Sequence, residues 1–174
     1  MNGERRSRDG AGHEVPGSLP PSVALHPFRA TDAAFVIELA SDERVTRYVG
    51  DGRPWERAYT EDRIQAALRD DPLDQEGATR WFLAVVAGEP VGLLVAMRRA
   101  EGVEIGYWVS PGHWGRGIAG AMVDAAAATV PALYGTGTLI ARVHPDNAVS
   151  ARLLTRRGFG PAGHHDGVDH YRTV

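Results

Sequence analysis

Cysteine is absent from all 174 residues. That one absence removes disulfides, thiolate nucleophiles and cysteine-based zinc sites together, and it suits a cytoplasmic location. No apolar run approaches the roughly twenty residues needed to span a bilayer. The first residues hold no apolar core for a signal peptide. A large excess of one charge is also lacking: 19 Lys and Arg stand against 22 Asp and Glu, a net charge of −3, so no basic field points to nucleic acid. A hydrophobic fraction of 43% is enough for one sizeable core at this length. Residues 1–21, rich in Gly, Arg, Ser and Pro, read as a disordered lead in which Arg5, Arg6 and Arg8 are solvated. Residues 22–174 read as a single domain, with no internal repeat.

The most informative stretch runs from Tyr107 to Gly120. Up to Ser110 it reads as a strand, and after Gly117 as a helix. The turn between them carries Gly112, Gly115 and Gly117, with Gly120 one turn into the helix. Glycines leave the backbone uncovered, and the first N–H groups of a helix have no partner within it. Such a turn favours an anion, above all a phosphate. Two common phosphate motifs fail on detail. Gly115-Arg116-Gly117-Ile118-Ala119-Gly120 has dinucleotide-binding spacing, but the strand that follows, Thr138 to Val143, ends without the acidic residue such a site needs, and the strand before it is the fourth. A P-loop needs Gly-Lys-Ser/Thr, which does not occur.

The stretch resembles the acyl-CoA pyrophosphate loop of the GNAT superfamily of N-acetyltransferases. The family pattern Arg/Gln-x-x-Gly-x-Gly/Ala is matched by Trp114-Gly115-Arg116-Gly117-Ile118-Ala119, with Trp in the first place. A second segment agrees: Asn147-x-x-Ser150-x-x-Leu153, followed by Arg156-Arg157-Gly158-Phe159. Both are similar to the branch that includes ribosomal-protein N-terminal acetyltransferases. The likeness extends over residues 23 to 174.

The order of elements supports a mixed α/β fold. Val23 to Ala30 reads as a strand, Thr31-Asp32 as a helix cap, and Ser41-Asp42 as the cap of a short helix carrying Val45 and Tyr48. Residues 50 to 55 are a loop, and Thr60-Glu61-Asp62 starts another helix. Trp81–Ala87, Val91–Arg98 and Val103–Ser110 follow as an antiparallel meander. A helix from Gly117 to about Thr129 ends at Pro131 and Gly135. Thr138–Val143 is a strand, Asn147 to Arg157 a helix closed by Gly158, and Val168–Val174 a last strand, with another short strand within Gly160–Gly167. The resemblance implies a central, mostly antiparallel sheet of six to seven strands with helices on both faces.

It also implies roles. Acetyl-CoA is the acyl donor, with no metal, and transfer is direct within a ternary complex. The backbone of Trp114, Gly115, Arg116, Gly117, Ile118, Ala119 and Gly120 would hold the diphosphate. The backbone of Tyr107, Trp108 and Val109, on the fourth strand where it splays from the fifth, would hold the pantetheine arm; Gly106 is a bulge that opens the edge or else a packing glycine, and the Val109 N–H would face the thioester oxygen. Asn147, otherwise a helix cap, would bond the same arm. Ser150, or a water it holds, is the candidate acid or else a plain helix-face serine; the tyrosine that serves other branches is replaced by Leu154. Glu104, on one strand face with Gly106 and Trp108, is the candidate base or else a carboxylate opposite Arg98 or Arg99. The glutamate used elsewhere is Arg142 here. Arg53, Trp55 and Tyr59 are candidate acceptor contacts or else loop and packing residues. The acceptor is an amine: a protein N-terminus, a small metabolite or an antibiotic. No nucleic acid or membrane is expected as partner, and the assembly is a monomer or homodimer. A non-catalytic acyl-CoA sensor, and transfer of a larger acyl group such as succinyl, are the alternatives.

Overall fold

The computed structural model describes residues 22–174, so the expected N-terminal lead lies outside the described residues. Its elements are β1 (Ala24–Pro27), α1 (Ala33–Ser41), α2 (Glu43–Thr46), α3 (Arg57–Ala67), β2 (Thr79–Val86), β3 (Glu89–Arg99), β4 (Gly102–Val109), α4 (Ile118–Tyr134), β5 (Leu139–Val143), α5 (Ala148–Thr155), β6 (Phe159–His165) and β7 (Val168–Thr173). They build one seven-stranded sheet in the order β1-β2-β3-β4-β5-β7-β6. Every neighbouring pair is antiparallel except β4 and β5.

Strand alternation sorts the core into two layers. On one face Leu94, Ala96, Val103 and Ile105 pack under α4 through Met122, Val123, Ala126 and Val130, with Leu154 and Phe159 completing the cluster. On the other, Leu93, Val95, Trp81 and Trp108 pack under α1 and α3 through Val36, Leu39 and Ile64. Each layer is a helix stripe on a sheet face, the arrangement that removes both apolar surfaces from water.

Two boundaries and one expected bulge depart from expectation. Helix α3 starts at Arg57 rather than at Thr60. Thr60 is buried and turns its hydroxyl to the carbonyl of Glu56, so it belongs to the helix interior. Helix α4 runs through Pro131 to Tyr134. The missing Pro131 N–H is outweighed by burial of Val130 and Tyr134, and the Tyr134 hydroxyl donates to the Ala96 carbonyl at 2.8 Å. Gly135, at φ +64°, then closes the helix. The expected bulge at Gly106 does not form: β3 and β4 stay in continuous register from Gly92↔Val109 to Arg99↔Gly102.

The opening in the sheet arises differently. Strands β4 and β5 pair only through Val103↔Leu139 and Glu104↔Ile140. Beyond Glu104 they separate, while β5 continues to pair with β7 along its other edge. The rest of β4, from Ile105 to Val109, therefore faces an opening on that side.

Candidate active site

Two main-chain hydrogen bonds fix the direction in which each residue of β4 points. The Val103 N–H donates to Thr138 beside β5 at 2.9 Å, and the Ser110 N–H donates to Val91 beside β3 at 2.9 Å. Main-chain groups alternate along an antiparallel strand, so even positions turn to β3 and odd positions to the β5 side. Tyr107 and Val109 thus present their N–H groups to the opening. Trp108 does not, since it lies opposite Leu93 with its main chain turned to β3. Its expected backbone contact with the pantetheine arm is corrected on that ground; its side chain lies on the opposite side, packed toward α1 and α3. The Val109 carbonyl is already occupied, accepting from the Trp114 indole at 2.7 Å. The Trp in the first motif position therefore caps the end of the exposed strand edge.

The turn beyond β4 leaves a run of main-chain donors unpartnered among the described residues. Gly115 and Gly117 have φ of +73° and +76°, the left-handed region where a side chain is strained. The first main-chain bond of α4 is Ala121 N–H to the Gly117 carbonyl. Among the described residues, the N–H groups of Gly115, Arg116, Gly117, Ile118, Ala119 and Gly120 have no protein partner. Six successive free donors at the start of a 17-residue helix make a nest with the helix dipole behind it. Gly120 serves differently from Gly115 and Gly117. A Cβ there would lie 2.0 Å from the Arg157 guanidinium, which donates to the Gly120 carbonyl and pairs with Asp124 at 3.0 Å. That glycine makes room for a side chain that ties α5 to α4.

Helix α5 brings Asn147 and Ser150 to the other wall of the opening. Asn147 caps the helix, its side-chain oxygen accepting from the Ser150 N–H at 3.1 Å. That leaves its amide NH₂ without a protein partner among the described residues. The Ser150 hydroxyl lies 2.5 Å from the Tyr107 hydroxyl, so strand β4 and helix α5 are bridged by two side chains. Burial pushes the Tyr107 phenol above its ordinary value, with Ser150 and Arg157 pulling the other way. A protonated phenol can donate to Ser150, and in that arrangement the Ser150 proton can turn into the opening. The sequence pointed to the Tyr107 main chain and missed its side chain. The alternation that put Glu104 on one face also put Tyr107 on the other, toward α5.

The opposite face carries the remaining candidates. Trp55 packs edge-to-face on Trp108, with centroids 4.8 Å apart, and on Tyr59 at 5.0 Å. Trp55 and Tyr59 are thus brought together, whereas Arg53 turns away to Asp51 at 3.9 Å and is largely exposed. Glu104 does lie on this face with Trp108, but not as a free carboxylate. One oxygen accepts from Arg99 Nε at 2.7 Å and the other from Arg142 Nε at 2.8 Å. Arg98 goes to the other face, donating to the Leu73 and Tyr134 carbonyls. Among the described residues no three His, Cys, Asp or Glu converge as metal ligands. His164 instead pairs with Asp169 at 2.8 Å. A surface hollow of about 680 Å³ lies between α1 and α3, lined by Ala33, Ile37, Glu61 and Ile64, away from the opening.

A family model described as the acetyltransferase (GNAT) domain matches residues 22–160. The chain belongs to the GNAT acetyltransferase family. An uncharacterized N-acetyltransferase of Bacillus subtilis, YoaA, is 28% identical over 135 residues, 76% of each chain. The fold is that of spermidine N-acetyltransferase from Vibrio cholerae, solved with CoA and spermine, at a TM-score of 0.72 and 19% identity over 87% of this chain and 93% of that one. It is equally that of RimL, the ribosomal L7/L12 alpha-N-protein acetyltransferase solved with coenzyme A, at a TM-score of 0.72 and 16% identity over 88% and 94%. As a GNAT enzyme the chain is an acyl-CoA-dependent N-acetyltransferase. No helix among the described residues is long and apolar enough to cross a membrane.

Proposed function

We propose that this GNAT enzyme uses acetyl-CoA as donor, acts in the cytoplasm, and transfers acetyl directly to an amine that enters from the Trp55–Trp108 face. One observation carries the reading. The six free amides of residues 115–120 are continuous, through Trp114, with the unpaired edge of β4 at Val109 and Tyr107. A diphosphate suits the first and an amide-bearing arm suits the second.

Acetyl-CoA supplies an already activated acyl thioester, so no protein nucleophile is needed. The Val109 N–H, turned to the opening, supports negative charge on the acyl oxygen. Ser150, oriented by Tyr107, gives a proton to the leaving sulfur. Asn147 bonds the arm through its free NH₂ while its oxygen caps α5. Glu104 sits between Arg99 and Arg142, one oxygen on each, and no step of the transfer is given to it.

The test is CoA release from acetyl-CoA across a panel of primary amines, paired with a binding isotherm for acetyl-CoA. Binding with amine-dependent release supports the reading. Tight binding without release for any amine would make the chain a sensor, and faster release from succinyl-CoA than from acetyl-CoA would reassign the donor.

A further inference from the structure

The face through which the acceptor enters carries a charge arrangement that the transfer chemistry leaves unused. Arg99, Glu104 and Arg142 stand on three adjacent strands, β3, β4 and β5, all on the Trp108 side of the sheet. Two guanidiniums share one carboxylate, so the cluster keeps one net positive charge. Each arginine spends only its Nε on Glu104. Their terminal NH₂ groups have no protein partner among the described residues. The carboxylate is largely covered, its side chain 18% exposed, while Arg99 and Arg142 remain 35% and 45% exposed. Glu104 thus holds two guanidinium forks in place with their outer edges open. Such an edge matches a carboxylate, which a guanidinium can bind through two parallel hydrogen bonds.

The route from this cluster to the opening is unobstructed. Gly106 lies between Glu104 and Trp108 on the same face, is exposed, and a Cβ there would meet nothing within 4 Å. A strand advances about 6.6 Å for every two residues, so Glu104, which both guanidiniums grip, lies roughly 7–13 Å along the sheet from the Gly106–Trp108 level, with Arg142 rooted on its near side and Arg99 on its far side.

Resting on the amine-transfer reading above, we propose that Arg99 and Arg142, held by Glu104, are the specificity-determining seat for a carboxylate on the acceptor. The substrate class is an amine bearing a carboxylate about 7 Å or more away, such as a short peptide or an ω-amino acid. A polycationic amine is disfavoured, because the seat is itself positive.

Matched acceptors test this: glycylglycine against its C-terminal amide, and 6-aminohexanoate against hexylamine, with spermidine as the polycation. The acids are expected to exceed their neutral partners in kcat/KM by at least about tenfold, the worth of one charge-assisted contact. Arg142→Gln and Arg99→Gln should each bring that ratio toward one, and Arg142→Lys should keep only part of it, having charge without a fork. Because Arg142→Gln leaves Glu104 with a single partner, the double variant Glu104→Gln with Arg142→Gln serves if the single one folds poorly. Neutral amines or spermidine outpacing the acids would overturn the proposal, as would variants that slow acid and neutral acceptors in parallel. If acetyl-CoA binds but no amine is acetylated, the transfer reading fails separately. The seat is then judged by titrating 6-acetamidohexanoate into the CoA-bound protein under tryptophan fluorescence: saturable binding weakened by Arg142→Gln supports it, and its absence overturns it.

Discussion

The two sides of the β4 opening are built from different material. On the proposed donor side the groups on offer are mostly main chain: the amides of residues 115–120 and of Tyr107 and Val109, with the Asn147 and Ser150 side chains beside them. On the acceptor side they are side chains: Trp55, Tyr59 and Trp108 in edge-to-face contact, and Glu104 between Arg99 and Arg142. A main-chain site constrains sequence through glycine, because only glycine sits easily at φ near +75°. A side-chain site constrains identity at positions far apart in the chain. The donor side therefore tolerates variation in side chains, while the acceptor side can be retuned one residue at a time without disturbing the fold.

The largest effect that tests this contrast is expected from Gly117→Asp. It adds about 1–3 kcal/mol of backbone strain and sets a carboxylate against the diphosphate, so acetyl-CoA affinity should fall by a hundredfold or more, roughly. Normal affinity by calorimetry would show that the nest is not the donor site.

Next comes the bridge between the walls. Ser150→Ala should lower kcat by about a hundredfold, the low end for a lost proton donor, with little change in acetyl-CoA affinity. Tyr107→Phe should cost about tenfold, and the double variant should be no slower than Ser150→Ala alone, because Tyr107 works through Ser150. Additive losses would reduce Tyr107 to packing. Since burial raises the Tyr107 phenol above its ordinary value, the wild-type rate should hold as pH approaches 10, where a free tyrosine would begin to ionise.

A side-chain change on the acceptor side should leave the donor untouched. Trp55→Ala removes both edge-to-face contacts, worth about 1 kcal/mol each, and should raise acceptor KM several-fold at constant acetyl-CoA affinity. A parallel loss of acetyl-CoA affinity would break the separation of the two sides.

The sequence was read unequally along this same line. The strand-to-helix turn before α4 was legible because glycine spacing and a strand-to-helix switch are local signals. The β2–β3–β4 meander followed from alternation and short connections, and helices on both faces from the order of elements. The splay of the fourth strand from the fifth came from the family resemblance, and only its link to Gly106 failed. Gly106 suggested a bulge, whereas the cause is that β5 leaves β4 after Glu104, a non-local event that no residue of β4 encodes. Trp108 was assigned by its neighbours in the motif, and only the strand's hydrogen-bond alternation separates it from Tyr107 and Val109. The pairing of Glu104 with Arg142 was not read, because the two lie 38 residues apart. The end of α4 was misjudged at Pro131 because the weight of Tyr134 comes from β3, through the Ala96 carbonyl.

The smallest expected effect concerns that anchor and lies outside both sites. Burial raises the Tyr134 phenol to about 12. A phenol whose folded value exceeds its unfolded one adds stability that is complete below pH 10 and lost as pH rises through about 12. Tyr134→Phe should cost about 1 kcal/mol at neutral pH and flatten that alkaline loss, read by urea unfolding at pH 7 and 11. Activity per folded molecule should not change.

The most direct measurement is a crystal structure with coenzyme A. Diphosphate oxygens should lie within hydrogen-bond distance of the amides of Gly115 to Gly120, and the pantetheine arm should pair with the main chain of Tyr107 and Val109 beside Asn147. Coenzyme A seated elsewhere, with those amides bonded only to water, would contradict the assignment.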